Sequence, residues 1–338
     1  MLIREMIEEI EQKNLSPYAT LDRNSKGRAK EEAQCDIRPL FQRDRDRILH
    51  SKAFRRLKNK TQVFLYPMGD HYRTRMSHTL EVSQNARTIG KALRMNEGLI
   101  EAIALGHDLG HTPFGHAGED VLNACCEGGF VHSEQSVRIV EKLEKDGEGL
   151  NLTWEVIDGI RNHQTQGHPN TPEGQIVRLS DKIAYVYADV DDAIRGRIMV
   201  EEDLPVEIRK TLGFTAKERL NHMIHDVIMT SLNSPEIRMS EETGQAMVEL
   251  RKYLFEHVYR NPEAKGEEVK AKRMIRMLYE YYNDHPKALP ENFYAKLLNG
   301  EDPKDRIICD YIAGMSDGYC TTKFKEYFVP QAWEVDGF

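Results

Sequence analysis

Apolar residues recur along most of this chain with the spacing of an amphipathic α-helix. At its start, Ile3, Met6, Ile7 and Ile10 follow the i, i+3, i+4, i+7 pattern of one helix face. The same periodicity, with Gly, Pro or Asn at most boundaries, predicts further helices at 43–57, 78–95, 97–107, 116–126, 133–145, 153–162, 173–194, 203–212, 215–231, 240–259, 264–284 and 303–317. No segment alternates apolar and polar residues beside an Asn-Gly or Asp-Gly turn, which disfavours a large sheet. The predicted fold class is all-α.

The chain contains few candidate linkers. The stretches 145–151 and 165–174 are polar and contain Gly or Pro, but both are short and are typical of loops inside one helical domain. We therefore expect a single domain over 1–338. Within it we expect a core over approximately 60–200 and a helical C-terminal part over 200–338.

Composition places the chain among ordinary globular proteins. It has 338 residues, of which 40% are hydrophobic and 30% charged, enough to bury a sizeable core. No apolar run reaches the length of a membrane span. The first residues lack the apolar core of a signal peptide, so we expect a cytoplasmic protein.

Charge and cysteine content narrow the class of site. The formal net charge is −8, so a polyanionic substrate would need a local basic site. The five cysteines include no C-x-x-C spacing, which argues against a zinc ribbon or a disulfide framework and favours free thiols.

An adjacent pair, His107–Asp108, stands at the end of the predicted helix 97–107. Adjacent residues do not share one helical face, but at a helix end both side chains can converge on one metal ion. Imidazole with carboxylate suits one or two divalent ions such as Mn, Fe, Ni, Co, Mg or Zn. Solvated His and Asp also occur together by chance, so the pair alone leaves both interpretations open.

Two further candidate ligands lie on neighbouring predicted helices. His78 opens the helix predicted at 78–95, and Asp181 lies among apolar residues of the helix predicted at 173–194. A carboxylate on a largely buried helix is costly unless it is paired or binds a metal. The polar stripe that begins at Asp181 continues with Tyr185, Asp189 and Asp192. For Asp189 and Asp192 a solvated polar face is an equally good interpretation.

Three histidines follow the His-Asp pair. His111 stands in a loop rich in Gly and Pro, and His116 begins the next predicted helix with Glu119 at i+3. A carboxylate there can fix the tautomer of His116, as general acid/base catalysis requires, and the helix N-terminus favours phosphate. The alternative is a capping or surface histidine. His132 and Glu134 form a similar pattern one helix later.

A local basic site is available before His78. Its residues are Arg55, Arg56, Lys58, Lys60, Arg73 and Arg75. A solvated basic helix explains most of them. Arg75 is three residues from His78 and can bind phosphate as a bidentate fork in the same cavity.

In the order H…HD…D, these residues resemble the HD superfamily of metal phosphohydrolases, and more closely its deoxyguanosine triphosphate and related deoxynucleoside triphosphate triphosphohydrolases. The similar segments are DRDRILHSKAFRRLKNKTQVF (44–64), RTRMSHTLEVSQNAR (73–87), HDLGHTPFGHAGE (107–119), FVHSEQS (130–136), LSDKIAYVYADVDDA (179–193) and DYIAGMSDGY (310–319). The resemblance implies an HD-domain helical bundle with additional C-terminal helices. It also implies hydrolysis at the α-phosphorus that releases a deoxynucleoside and tripolyphosphate.

The resemblance also implies roles for individual residues. The implied metal ligands are His78, His107, Asp108 and Asp181. The implied catalytic histidine is His116, oriented by Glu119, while His111 and His132 line the triphosphate pocket. The implied substrate contacts are Arg75 and Lys182 on phosphate, Tyr185 on the deoxyribose, and Asp189 and Gln62 on the 3′-hydroxyl.

The resemblance implies a divalent metal ion as cofactor and a homo-oligomer such as a hexamer. It leaves a nucleotide activator or single-stranded DNA open as a further partner. The segment 310–319 has Gly318 where the family pattern has Arg, which puts any role of that side chain at an interface or nucleotide in doubt. Two alternatives remain: another HD-type enzyme, such as a 5′-nucleotidase or phosphodiesterase, and a nucleotide-sensing or single-stranded-DNA-binding protein with a vestigial site.

Overall fold

The computed structural model describes residues 1–62, 73–258 and 262–330. These residues form sixteen α-helices joined by loops and short 3₁₀ or π turns, and they contain no β-strand. The helices are α1 (Ile3–Asn14), α2 (Leu40–Leu49), α3 (Lys52–Arg56), α4 (Arg75–Leu93), α5 (Glu97–Gly106), α6 (His116–Cys125), α7 (His132–Arg138), α8 (Trp154–Arg161), α9 (Pro172–Arg195), α10 (Val206–Leu212), α11 (Ala216–Ser231), α12 (Glu241–His257), α13 (Pro262–Asp284), α14 (Glu291–Leu298), α15 (Lys304–Ala313) and α16 (Asp317–Phe328). The all-α prediction is confirmed.

Side-chain capping explains where several boundaries differ from the prediction. The helix predicted at 43–57 is interrupted because Ser51 accepts a hydrogen bond from the Phe54 backbone N–H and starts α3. The prediction that His78 opens its helix is wrong, because α4 begins at Arg75. Thr74 caps α4 by accepting from the Ser77 N–H, so His78 lies one turn inside.

The C-terminal helices were predicted less completely. The helix expected at 303–317 ends at Ala313, and Ser316 caps a separate α16 by accepting from the Tyr319 N–H. Helices α14 and α16 were not predicted. The helix predicted at 133–145 is α7 followed by a π-helical turn over Ile139–Leu143.

Some predicted positions lie outside the described residues. They are residues 63–72 of the expected core, which include residues 63 and 64 of the segment 44–64, and residues 259–261 and 331–338 of the expected C-terminal part, which include residue 259 of the helix 240–259.

The apolar stripe of α1 faces outward. Ile3, Met6 and Ile10 are exposed, whereas Glu8 of the same helix is buried and accepts a hydrogen bond from Arg4 at 2.6 Å. The helix was predicted correctly from its periodicity, but its polar side is the one that packs.

Two apolar clusters form the core. The first includes Phe41, Leu57, Val82, Leu99, Ile176, Val227 and Leu250, and the second includes Phe114, Leu122, Ile275, Ile308 and Cys320. Within the first cluster α4, α5 and α9 pack against one another, which brings together the helices that bear the candidate metal ligands. The first cluster has members on both sides of residue 200, and the division expected there stays a prediction.

All five cysteines are free, as expected. Among the helices that the structure describes, none is both long enough and apolar enough to cross a membrane.

Candidate active site

His107 is held at the end of α5 with one ring nitrogen free. On the apolar side of α5, the side chains of Leu99 and Ile103 are completely buried. The Nδ1–H of His107 donates to the Ala104 carbonyl at 2.6 Å, so the lone pair belongs to Nε2. That Nε2 is buried and has no hydrogen-bond partner among the described residues. A histidine whose Nδ1 is held by a backbone carbonyl presents Nε2 for binding a metal.

The four predicted metal ligands converge. His78 Nε2 lies 3.0 Å from Asp181 Oδ1, and His107 Nε2 lies 3.7 Å from the same oxygen. His107 Nε2 is also 3.6 Å from Asp108 Oδ1. Two ligands bound side by side to an ion at about 2.1 Å would be roughly 3 Å apart. Donor atoms of His78, His107 and Asp108 lie within 4.8 Å of one another, so these three can hold one divalent ion, and Asp181 lies beside both histidines.

The charge state of both carboxylates suits a cation. Burial alone would raise the pKa of Asp108, but His111, His107 and Arg75 beside it lower the pKa well below its ordinary value. Burial also acts on Asp181, where the hydrogen bond from His78 and the neighbouring His107 nevertheless lower the pKa to about 2. Both groups are anionic near neutral pH, and imidazole with carboxylate suits a divalent first-row metal.

Asp108 also joins the candidate metal ligands to the other histidines. Its Oδ1 lies 3.3 Å from His111 Nε2, while Arg75 donates to its Oδ2 at 2.9 Å. The ring of His111 stacks on that of His132 with the centroids 3.9 Å apart. Donor atoms of Asp108, His111 and His132 lie within 4.8 Å of one another.

Glu119 contacts two histidines. His116 Nδ1 lies 3.1 Å from its Oε2, as the i+3 spacing predicts, and His132 Nδ1 lies 2.9 Å from its Oε1. The His132 backbone N–H donates to Oε1 at 2.8 Å. Burial would raise the pKa of Glu119, but the hydrogen bonds from the two rings lower it far below its ordinary value. One ionised carboxylate thus orients both imidazoles.

The expected parallel between His132 and Glu134 is wrong. Glu134 lies 3.4 Å from Arg161 instead, and Glu119 from the preceding helix supplies the carboxylate for His132. Tertiary packing, rather than spacing along one helix, decides this pairing.

His163 belongs to the same group and was missed in the sequence. Its Nδ1–H donates to the Ile160 carbonyl at 2.7 Å, as His107 does three residues after Ala104. Its Nε2 lies 3.3 Å from His132 Nε2, and its ring centroid lies 5.0 Å from that of His107. Burial, with His107 and His132 nearby, lowers the pKa of His163 to about 4, so the ring is neutral. Its position directly after α8 was the available signal.

A cavity of about 440 Å³ opens onto these residues. The predicted site residues that line it are Gln62, Arg75, His78, Asp108, His111, His116, His132, Asp181, Lys182 and Tyr185. His163, Gln164 and Arg251 also line it and were not predicted. His116 stands at the rim with 61% of its side chain exposed.

Three cations face this cavity. They are Arg75, Lys182 and Arg251. Burial, with Arg178 and Arg251 nearby, lowers the pKa of Lys182 to about 8. The local basic site that a polyanionic substrate would need on this acidic protein is therefore present.

Asp189 is not among the cavity-lining residues. It is completely buried two turns after Asp181 on α9. Burial raises the pKa of Asp189 well above its ordinary value, and the nearby Asp192 adds to the rise. Its expected contact with a substrate hydroxyl stays a prediction.

The chain is similar to known families and proteins. Residues 75–186 match the HD domain family, and residues 237–326 match the phosphohydrolase-associated domain. The chain is 57% identical over 335 residues to a deoxyguanosinetriphosphate triphosphohydrolase-like protein of Caldanaerobacter subterraneus subsp. tengcongensis, with 98% of each chain aligned. It is 49% identical to a protein of the same description from Clostridium perfringens strain SM101, covering 98% of this chain and 99% of the other.

Proposed function

The chain belongs to the deoxyguanosinetriphosphate triphosphohydrolase-like proteins with an HD domain, and from this premise we propose that it hydrolyses deoxynucleoside triphosphates. The proposed reaction takes one water and one substrate and gives a deoxynucleoside and tripolyphosphate. Membership of this family supports phosphohydrolase activity. The substrate, the products and the metal dependence are what we propose.

One observation carries it: buried His and Asp donors adjoin a cavity that also presents three cations. His78, His107, Asp108 and Asp181 would hold a divalent ion. When bound, such an ion polarises a phosphoryl oxygen and makes a water molecule more acidic. His78, Asp108 and Asp181 line the cavity, so an ion held there would be accessible to a substrate.

The cations are suited to a triphosphate. Lys182 follows Asp181 on α9, and Arg251 reaches the cavity from α12. Arg75 already donates to Asp108 at 2.9 Å, so its first effect is to orient a metal ligand. Together the three offset charge on phosphate oxygens.

His116 is the candidate for proton transfer. Its Nδ1 lies against Glu119, which leaves Nε2 available to the substrate, and its exposed position at the cavity rim allows it to meet one. His132 shares the same carboxylate and lies deeper, where with His111 it would contact the triphosphate. A carboxylate that holds the imidazole raises its basicity and fixes its tautomer.

Tyr185 and Gln62 would contact the sugar. Tyr185 lies one helical turn after Asp181 and lines the cavity, so its ring can pack on a deoxyribose and leave no room for a 2′-hydroxyl. Gln62 also lines the cavity, on the segment that precedes α4. A deoxyribose is therefore the sugar that we expect.

Reaction in water labelled with heavy oxygen tests the proposal. Metal-loaded protein is incubated with each dNTP, and the products are separated and weighed by mass spectrometry. Label in tripolyphosphate supports attack at the α-phosphorus. Orthophosphate or a nucleoside monophosphate as the product would instead indicate another HD-type phosphohydrolase. Reloading with Mn, Mg, Fe, Co, Ni or Zn in turn tests which ion serves.

A further inference from the structure

The segment 310–319 resembles the family pattern but contributes nothing to the cavity wall. Its Asp317 lies in the first turn of α16 and is only 5% exposed. One carboxylate oxygen accepts from the Thr61 backbone N–H at 2.9 Å and from the Thr61 hydroxyl. The other accepts from the Phe114 backbone N–H at 3.0 Å. One buried carboxylate thus joins two distant segments of the chain.

Each of these two segments leads directly into the cavity. Thr61 precedes Gln62, and Phe114 is two residues before His116. Both Gln62 and His116 line the cavity. Asp317 therefore contacts the backbone next to two residues with proposed roles, without contacting the cavity itself.

The loop before His116 needs support from outside. Phe114 has φ of +60° and Gly115 has φ of +58°, a left-handed conformation that is unfavourable for a residue with a side chain. Thr112 closes the loop by donating to the Gly115 carbonyl at 2.7 Å. The bond from the Phe114 N–H to Asp317 is the contact that ties this left-handed residue to α16.

Lys60 fixes the other end of the same loop. It is 2% exposed, and its ammonium donates to the His111 carbonyl and, at 2.7 Å, to the Ala313 carbonyl. Ala313 ends α15, and Asp317 begins α16. The turn between these helices therefore contacts the loop through Lys60 at His111 and through Asp317 at Phe114.

We propose that Asp317 is a positioning residue that sets the loop 111–116 and the Thr61–Gln62 segment, and through them the place of His116 at the cavity rim. The inference rests on the proposed function only in that turnover is measured as hydrolysis of a dNTP. A helix-capping role alone would also place an acid in the first turn, but it would affect stability without affecting His116.

The Asp317→Asn variant separates these roles. The amide keeps the shape and one acceptor oxygen, but it presents an NH₂ group to a backbone or hydroxyl donor. The matched control is Glu291→Gln, since Glu291 is an exposed acid in the first turn of α14. Each protein is loaded with Zn or Mg and compared with the wild type for metal content, melting temperature, kcat and KM. Ring-nitrogen NMR signals of labelled histidines are recorded as well, with His116→Gln used for assignment.

For Asp317→Asn we expect full metal content, a displaced His116 signal and a kcat lower by about 10- to 100-fold, because small misplacements of reacting groups cost this much. Glu291→Gln should match the wild type. A wild-type kcat and an unmoved His116 signal in Asp317→Asn would overturn the inference, as would a lower melting temperature alone.

Two further results also bear on the role of Asp317. If Asp317→Asn does not fold, Thr61→Val removes one donor to Asp317, and an unchanged KM and unchanged histidine spectrum in that variant count against the inference. If the wild type hydrolyses no dNTP, the proposed function fails by itself, and the displacement of the His116 signal still decides the positioning role.

Discussion

His78 Nε2 and Asp181 Oδ1 lie 3.0 Å apart, although 103 residues separate them in the chain. The pair lies where α4 packs against α9, and His107 and Asp108 directly follow the end of α5. Contact between these donors, with the free Nε2 of His107 facing the same carboxylate, is the arrangement that a bound cation would stabilise.

Replacing His107 or Asp108 by Ala should remove metal and activity together. Each change deletes one donor of the proposed centre, and loss of a ligand weakens binding more than the 10- to 100-fold typical of the groups behind it. Metal content by mass spectrometry and kcat/KM are measured on the same sample. The control is His168→Ala, an exposed histidine in the loop before α9, which should retain both. Full metal content in Asp108→Ala would contradict the assignment.

Replacing His116 by Ala should preserve the metal and lower kcat by about 10²- to 10⁴-fold, the usual contribution of a general acid or base. Glu119→Gln should also slow turnover, because it perturbs both His116 and His132. Metal content and kcat are compared with the wild type. Normal turnover in His116→Ala would rule out the proposed proton transfer.

Replacing Arg251 by Ala should raise KM by about 10- to 100-fold, since a charge-assisted hydrogen bond contributes about 1.5–3 kcal/mol. The adjacent Lys252 is exposed on the same helix and does not line the cavity. Lys252→Ala therefore controls for loss of one positive charge. Equal KM values for the two variants would mean that Arg251 does not bind phosphate.

Replacing Tyr185 by Ala should lower the ratio of kcat/KM for deoxyribonucleotides to kcat/KM for ribonucleotides, because the change opens space beside the sugar for a 2′-hydroxyl. The measurement is kcat/KM for dGTP against GTP. Tyr187→Ala, two positions along α9 and outside the cavity lining, should keep the wild-type ratio. A ratio unchanged in both variants would indicate that another residue discriminates the sugar.

Replacing Glu11 by Gln should change how stability depends on pH. Burial and the charge of Asp22 raise the pKa of Glu11 from 4.5 to about 8 in the folded protein. The stability that protonated Glu11 contributes to the folded protein is therefore fully present below pH 4.5 and is lost as the pH rises through about 8. The wild-type melting temperature should fall over this window relative to that of Glu11→Gln. Glu9→Gln, exposed on the same helix, should follow the wild type; parallel curves for all three would contradict the shift.

The candidate metal ligands could be recognised in the sequence because their signals are local, and their binding of a metal stays a prediction. His107–Asp108 follows an apolar helix, and Asp181 stands out among buried neighbours, so each candidate ligand could be recognised from its own surroundings. The convergence of the four side chains depends on the packing of α4, α5 and α9. We expected this convergence from the family resemblance, because the spacing of the residues along the chain does not predict it.

The sequence was less informative where contacts are long-range. His163 stands beside a polar loop, and only the fold places it next to His132. Helix α1 has the expected periodicity, yet its apolar stripe faces outward, because periodicity identifies a face and not what covers it. Glu119 was paired with His116 by its i+3 spacing, while its bond to His132 crosses between helices.

The central claim is most directly tested by the products that wild-type protein forms from dATP, dCTP, dGTP and dTTP, with the bound metal measured on the same sample. Chromatography and phosphorus NMR should find deoxynucleoside and tripolyphosphate in equal amounts, and chelation of the metal should abolish both. Orthophosphate with a nucleoside diphosphate, or turnover that survives complete removal of the metal, would contradict the account.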